Sequence, residues 1–179
     1  MTKIKEVPQW LSYGMHTTRR SSDLYDKNFN KIENMTLIRG ESIPDGVYHL
    51  VGEVVVKHTD GTYLLMQRDL RKHHGGKWEL TAGGSALQGE NELESAIREL
   101  KEETGLCGEM KEIGRVVHDG HHSLYVIYMC VADFEKNSVA LQEGETIDYK
   151  WVDKETLLKI DEKELSASRT LALVKKLDL

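Results

Sequence analysis

Cysteine and proline are both scarce in this chain, two of each in 179 residues. Cys107 and Cys130 alone give no disulfide framework and only a poor thiolate site for a metal, so the compartment expected is the reducing cytoplasm. With proline confined to Pro8 and Pro44, and no repeat in evidence, there is no low-complexity segment. Long apolar runs are also missing. None approaches the ~18 residues that a membrane span needs, and MTKIKEVPQWLSYGMHTTRR lacks the continuous apolar core of a secretory signal. A positive balance is absent too: the formal charge of −6 argues against general nucleic-acid binding, which demands a basic surface. What remains, 39% hydrophobic and 30% charged residues, describes a soluble globular protein of single-domain length. Residues 1–179 are read as that domain, with 1–46 too short to carry a core of its own and therefore an N-terminal elaboration.

Residues 1–20 show no period; Trp10 and Tyr13 suit a short helix, and Arg19 with Arg20 are most simply solvated. In SSDLYDKNFNKIENMTLIRGESIPDG, a turn over Asp26–Asn30 separates two stretches that read as a hairpin. VYHLVGEVVVKH and TYLLMQRD, joined at Asp60-Gly61, form a second hairpin whose continuous hydrophobicity predicts burial on both faces and the centre of a sheet. The next loop carries Arg68, Arg71, Lys72, His73, His74 and Lys77. It reads either as a flexible surface loop or as a substrate-binding loop in which Arg68, Arg71 and Lys77 face phosphate. Trp78–Gly84 is a short strand. GEMKEIGRVVHDG and HSLYVIYMCVADF form an antiparallel pair, and His118, His121 and His122 between them are read as a structural turn. A last strand around Tyr149–Val152 precedes the helical patterns DKETLLKI and ELSASRTLALVKKL, the latter with Leu165, Leu171, Leu173, Val174 and Leu177 on one side.

The most informative stretch is GSALQGENELESAIRELKEETGL, Gly84 to Leu106. Asn91 with Glu94 three residues on is a variant of the capping box, so a helix starts there, and Gly105 is placed to stop it. Leu93, Ala96, Ile97, Leu100 and Thr104 are predicted to form the buried stripe, with Glu99, Glu102 and Glu103 sharing another face. Each like-charge pair on adjacent turns costs a few tenths of a kcal/mol, with Arg98 and Lys101 nearby to offset it. A hard divalent cation, Mg2+ or Mn2+, would compensate for these three carboxylates. A solvated acidic face is the alternative, and is the reading for Glu92, Glu94 and Glu109.

Gly84, Glu90, Arg98, Glu99, Leu100, Glu102, Glu103, Gly105 and Leu106 stand at G-x5-E-x7-R-E-U-x-E-E-x-G-U, where U is a bulky aliphatic residue. By composition alone such a match arises on the order of once in 10^8 windows, so chance does not explain it. The chain resembles the Nudix hydrolases, and this is their Nudix box. The resemblance implies an α/β fold, an α/β/α sandwich around a mixed β-sheet. It implies cleavage of the diphosphate bond in a nucleoside diphosphate derivative or related small-molecule diphosphate, by attack of water on phosphorus. It further implies Mg2+ or Mn2+ held by Glu99, Glu102, Glu103 and the carbonyl of Gly83, and a homodimer as a frequent state.

Catalysis is expected to rest on Glu99, Glu102, Arg98 and Glu145. Arg98 would pair with a box glutamate, and Glu90 would be structural. The general base in this family is a box glutamate in some members and a later loop glutamate in others; Glu145 resembles the latter, with Glu143 its rival and a charged surface loop the alternative. A second resemblance, carried by LYDKNFNKIENMTLIRGESIPDGVYHLVGEVVV with His49 and by MQRD, is to isopentenyl-diphosphate isomerase and its near relatives. The positions aligned with that enzyme's cysteine and Gly-His pair are Gly83, Gly84 and Ser85, so its thiol and histidine are not there. Isomerase chemistry is thus one alternative; the other is a non-enzymatic nucleotide-binding sensor, which would be expected to have lost box glutamates.

Overall fold

The computed structural model describes residues 20–179; the readings of Trp10, Tyr13 and Arg19 lie outside the described residues. The chain is organised on β3 (Tyr48–His58), whose apolar run is buried on both faces. The first strands, β1 (Ser21–Tyr25) and β2 (Lys31–Ile38), form the expected antiparallel hairpin. Their turn is held by the Asp26 carboxylate, which accepts the N–H groups of Asn28 and Asn30 at 2.8 and 3.0 Å. Asp60-Gly61 joins β3 to β4 (Tyr63–Arg68), with Gly61 at φ +93°. There follow β5 (Trp78–Glu79), β6 (Thr81–Ser85), α1 (Glu92–Thr104), β7 (Met110–His118), β8 (Ser123–Ala132), β9 (Thr146–Val152), α2 (Lys154–Lys159) and α3 (Arg169–Leu177).

From His49 to His58, β8 runs parallel along β3, while β1, β6 and β4 pair with it antiparallel. The sheet is therefore mixed. Alternate residues of β3 serve two cores: Leu50, Val54 and Val56 pack with Ala96 and Leu100 of α1, while Val51 and Val55 pack with Leu157, Leu171 and Val174 of α2 and α3. Each fully buried side chain of this size contributes about 1.5–3 kcal/mol, which is what binds the helices to the sheet. The result is an α/β/α sandwich. A buried ion pair adds specificity on the second face, where Glu53 of β3 meets Arg169 and accepts the Thr170 hydroxyl at 3.1 Å. The histidines between β7 and β8 make a 3-10 turn, in which His118 Nδ1 accepts the His121 N–H at 3.1 Å. No helix among the described residues is long and apolar enough to cross a membrane.

Two expectations need correcting. In α1 the buried positions are Ser95, Ala96, Glu99, Leu100, Glu103 and Thr104, whereas Leu93 and Ile97 are exposed. The helix is rolled toward its acidic side because two glycines of the sheet let it approach closely there. A Cβ on Gly52 would lie 2.8 Å from the Ala96 nitrogen, and one on Gly84 would lie 2.5 Å from a Glu99 oxygen. In the C-terminal segment, Glu164–Ser168 is not part of the helix: Leu165 is buried beside Trp78 through an isolated parallel bridge, α3 begins at Arg169, and Leu177 is exposed.

Gly52→Ala is accordingly expected to lower stability by about 1–3 kcal/mol, because the new methyl group meets main chain that cannot rotate away. Urea unfolding checks this. An unchanged midpoint would mean that α1 can lift from the sheet without cost.

Candidate active site

The β6–α1 connection builds the site. Asn91 caps α1 by accepting the Glu94 N–H at 2.9 Å, and the Glu94 carboxylate in turn accepts the Asn91 N–H at 2.9 Å, so the predicted capping box is formed. Gly105 ends the helix at φ +73°. Held at both ends, α1 presents Glu99, Glu102 and Glu103 to a cleft of about 280 Å³ that Gly83, Gly84, Ser85 and Glu145 also line.

Arg98 organises the carboxylates. Its guanidinium grips Glu90 through two bonds of 2.7 and 2.9 Å, donates to Glu99 at 2.6 Å and to the Ser85 carbonyl at 3.1 Å, and lies 3.4 Å from Glu102. Its proton is correspondingly held more firmly than usual, chiefly by the bond to Glu90. The Glu90 carboxyl is held below its ordinary range by the same contact. Burial raises Glu99, against the pull of Arg98. Glu103 is the outlier: it is 8% exposed, and among the described residues its carboxylate accepts one hydrogen bond, from the Gly83 N–H at 3.1 Å, and pairs with no cation. Burial, and then Glu79 and Glu99 nearby, push its carboxyl well above the ordinary range.

A buried carboxylate without a cation is costly, and the usual compensations are ion pairing or metal coordination. Hard oxygen donors around Gly83 and Gly84 are the chemistry that a divalent cation of the Mg2+ type selects. Among the described residues no three His, Cys, Asp or Glu groups already surround one point. Arg98 holds Glu99 and touches Glu102, and Gly83 holds Glu103, so the donor set is present but engaged elsewhere.

The cations of the basic loop are largely paired with neighbouring carboxylates. Arg68 pairs with Glu79 and donates to the His73 carbonyl at 2.9 Å. Arg71 forks onto Asp69 at 2.8 and 2.7 Å, holding that carboxyl well below its usual range. Neither they nor Lys77 line the cleft; Lys72 does, and it pairs with Glu145. The loop is secured to the Glu145 segment by the Asp69 N–H, which donates to the Glu145 carbonyl at 2.8 Å. Glu143 is exposed and does not line the cleft.

Other lining residues escaped the sequence reading. Arg20, Ser22, Leu37 and Arg39 come from the first hairpin, and their two-residue spacing on paired strands was the available signal. His49 also lines the cleft, with Nδ1 3.1 Å from Ser85 Oγ and Nε2 2.7 Å from Ser123 Oγ. Burial, followed by His121 and His122, depresses its proton affinity.

A helix carrying this glutamate set, laid over a glycine-rich strand in a mixed α/β/α sandwich, defines a class, and residues 48–174 match the NUDIX domain family. The chain belongs to the Nudix family and is a hydrolase of diphosphate bonds. It is 32% identical to an uncharacterised Nudix hydrolase of Listeria innocua over 137 residues, 75% of this chain and 80% of that one. It is 30% identical over 120 residues to an isopentenyl-diphosphate Delta-isomerase of Burkholderia multivorans, 64% of this chain and 68% of that one. In fold it is similar to a MutT protein from Methanosarcina mazei, at TM-score 0.64 and 23% identity over 76% of this chain and 96% of that one.

Proposed function

We propose a metal-dependent pyrophosphohydrolase that cleaves a nucleoside diphosphate derivative or related small diphosphate by attack of water on phosphorus. The observation that carries this reading is Glu103, a buried carboxylate lining the cleft with no cation paired to it among the described residues. Mg2+ or Mn2+, bound by Glu99, Glu102, Glu103 and the Gly83 carbonyl, would polarise the diphosphate and lower the pKa of water. Arg98 sets the rotamer of Glu99 and is itself fixed by Glu90. Glu145 acts as general base, taking the proton of the attacking water, and Lys72 holds its carboxylate at the cleft wall. The two free cysteines accord with a reducing, cytoplasmic compartment.

The test is hydrolysis by purified protein with Mg2+ or Mn2+ across nucleoside triphosphates, nucleotide sugars, dinucleoside polyphosphates, coenzyme A and isopentenyl diphosphate, scoring phosphate release and isomerised product. Metal-dependent phosphate release supports the proposal. The similarity to an isomerase makes isomerisation the second reading, but neither exposed Cys107 nor buried Cys130 lines the cleft to supply a thiol. Isomerisation without phosphate release would overturn the hydrolase reading, as would tight nucleotide binding without turnover.

Glu145→Gln is expected to reduce kcat by about 10^2 to 10^4-fold, the usual worth of a general base, with KM changed only a few-fold. If the pH–rate profile of this variant matches the wild type, the base is a box glutamate instead.

A further inference from the structure

Outside the family-matched residues 48–174, the β1–β2 hairpin forms one wall of the cleft. We propose that this wall is a second anion subsite: Arg20 and Arg39 bind a phosphate group of the substrate beyond the diphosphate held at the α1 carboxylates. The inference rests on the hydrolase reading for which substrate enters the cleft, and adds what that substrate carries.

Pleat geometry puts the arginines there. Side chains two residues apart share a face of a strand, and directly paired residues share it across strands. Ser22 pairs with Leu37, and just beyond that pair the Arg39 N–H donates to the Arg20 carbonyl at 3.0 Å. Arg20, Ser22, Leu37 and Arg39 thus belong to one face at the open end of the hairpin, and all four line the cleft.

The hairpin is also fastened to the loop between β6 and α1. The Gln88 N–H donates to the Ser21 carbonyl at 2.8 Å, the Ser22 hydroxyl to the Ala86 carbonyl at 2.7 Å, and the Gly89 N–H to Asp23 at 2.8 Å. Asp23 is buried and is paired with Lys31 as well, so this junction is fixed on both sides. The same loop leads into α1, so the distance from the arginines to the carboxylates is set by the fold. Neither arginine has an ion pair among the described residues, although Arg20 is near enough to Glu90 and Glu99 to favour their charged forms. Lys72, the other lining cation, is occupied with Glu145. Two guanidinium forks on one wall, with glutamates and any cation they bind further along, match a polyphosphate longer than two units or a diphosphate with another phosphate nearby.

The test is calorimetric titration of the full chain with inorganic diphosphate and inorganic triphosphate at fixed free Mg2+, with products assayed in parallel. The wild type is expected to bind triphosphate at least ~10-fold more tightly than diphosphate. In Arg20→Gln/Arg39→Gln that ratio should fall to within about twofold, and Arg20→Lys/Arg39→Lys should restore only part of it, because the charge returns without the planar fork. No preference in the wild type overturns the proposal. So does a ratio unchanged by the glutamine pair, whether the two affinities hold or fall together. Absence of hydrolysis on every diphosphate tried would remove the enzymatic reading while leaving this ratio to decide the subsite.

Discussion

Glu103→Gln is expected to abolish most metal-dependent hydrolysis, by about three orders of magnitude or roughly 4 kcal/mol of transition-state stabilisation, without lowering the stability of the metal-free fold. The side chain is nearly isosteric, and what disappears is a charge that burial already disfavours. The pH dependence follows from the direction of that shift. A carboxyl raised in the folded state favours folding below its unfolded value of about 4.3, and this contribution is lost as pH rises through the raised folded value. Metal-free wild type should therefore lose stability relative to Glu103→Gln as pH rises toward neutrality. Thermal melting in chelator, comparing the two proteins at each pH, isolates this residue from Asp23, Asp60 and Asp69, whose lowered values act in the opposite direction. Adding Mg2+ at neutral pH should raise the melting temperature of the wild type more than that of the variant. An unaltered rate, or an identical response to Mg2+, would sink the metal assignment.

Arg98→Ala should damage both activity and fold. Removing the guanidinium leaves Glu90 and Glu99 facing each other without the cation that joins them, and leaves the Ser85 carbonyl without its donor. Breaking a largely buried pair by deleting one partner costs about 3–5 kcal/mol, and partial exposure at this site places the expectation near the lower end. Arg98→Lys restores charge but not the two-pronged grip on Glu90, so it should recover part of the stability and little of the rate. The pattern to look for is a fall in kcat exceeding any rise in KM, alongside a lower urea midpoint. A variant with wild-type kcat would show that the orientation of Glu99 is immaterial.

Much of this arrangement could be read in advance because its signals are local. Asn91 with Glu94 sets the start of α1, Gly105 ends it, and Asp60-Gly61 between apolar runs closes a hairpin. The glutamates were legible because they lie within two turns of one helix. The roll of that helix was not, since apolar period placed Leu93 and Ile97 inside, whereas glycines at 52 and 84, distant in sequence, let its acidic side approach the sheet. The basic loop offered several cations with nothing to rank them. Which one reaches the cleft depends on Asp69 taking Arg71 within its own turn and on Glu79 taking Arg68, a pairing that exists only after β4 and β5 have assembled. Arg20 read as solvated for the same reason: the alternation of β1 and β2 was visible, but the docking of that hairpin onto Ala86, Gln88 and Gly89 was not.

The parallel pairing of β3 with β8 has a kinetic consequence. His49 and Ser123, partners in that ladder, are 74 residues apart, and α1 lies between them in the chain. Closing so long a loop is an entropic cost met before the pairing returns any free energy, so this step should be slow compared with formation of the β1–β2 and β3–β4 hairpins. During synthesis the carboxylate helix emerges well before β8 can dock on β3 and complete the core it rests on. Glu99 and Glu103 are charges that cost little in water and become costly only once α1 closes on β3 and β6.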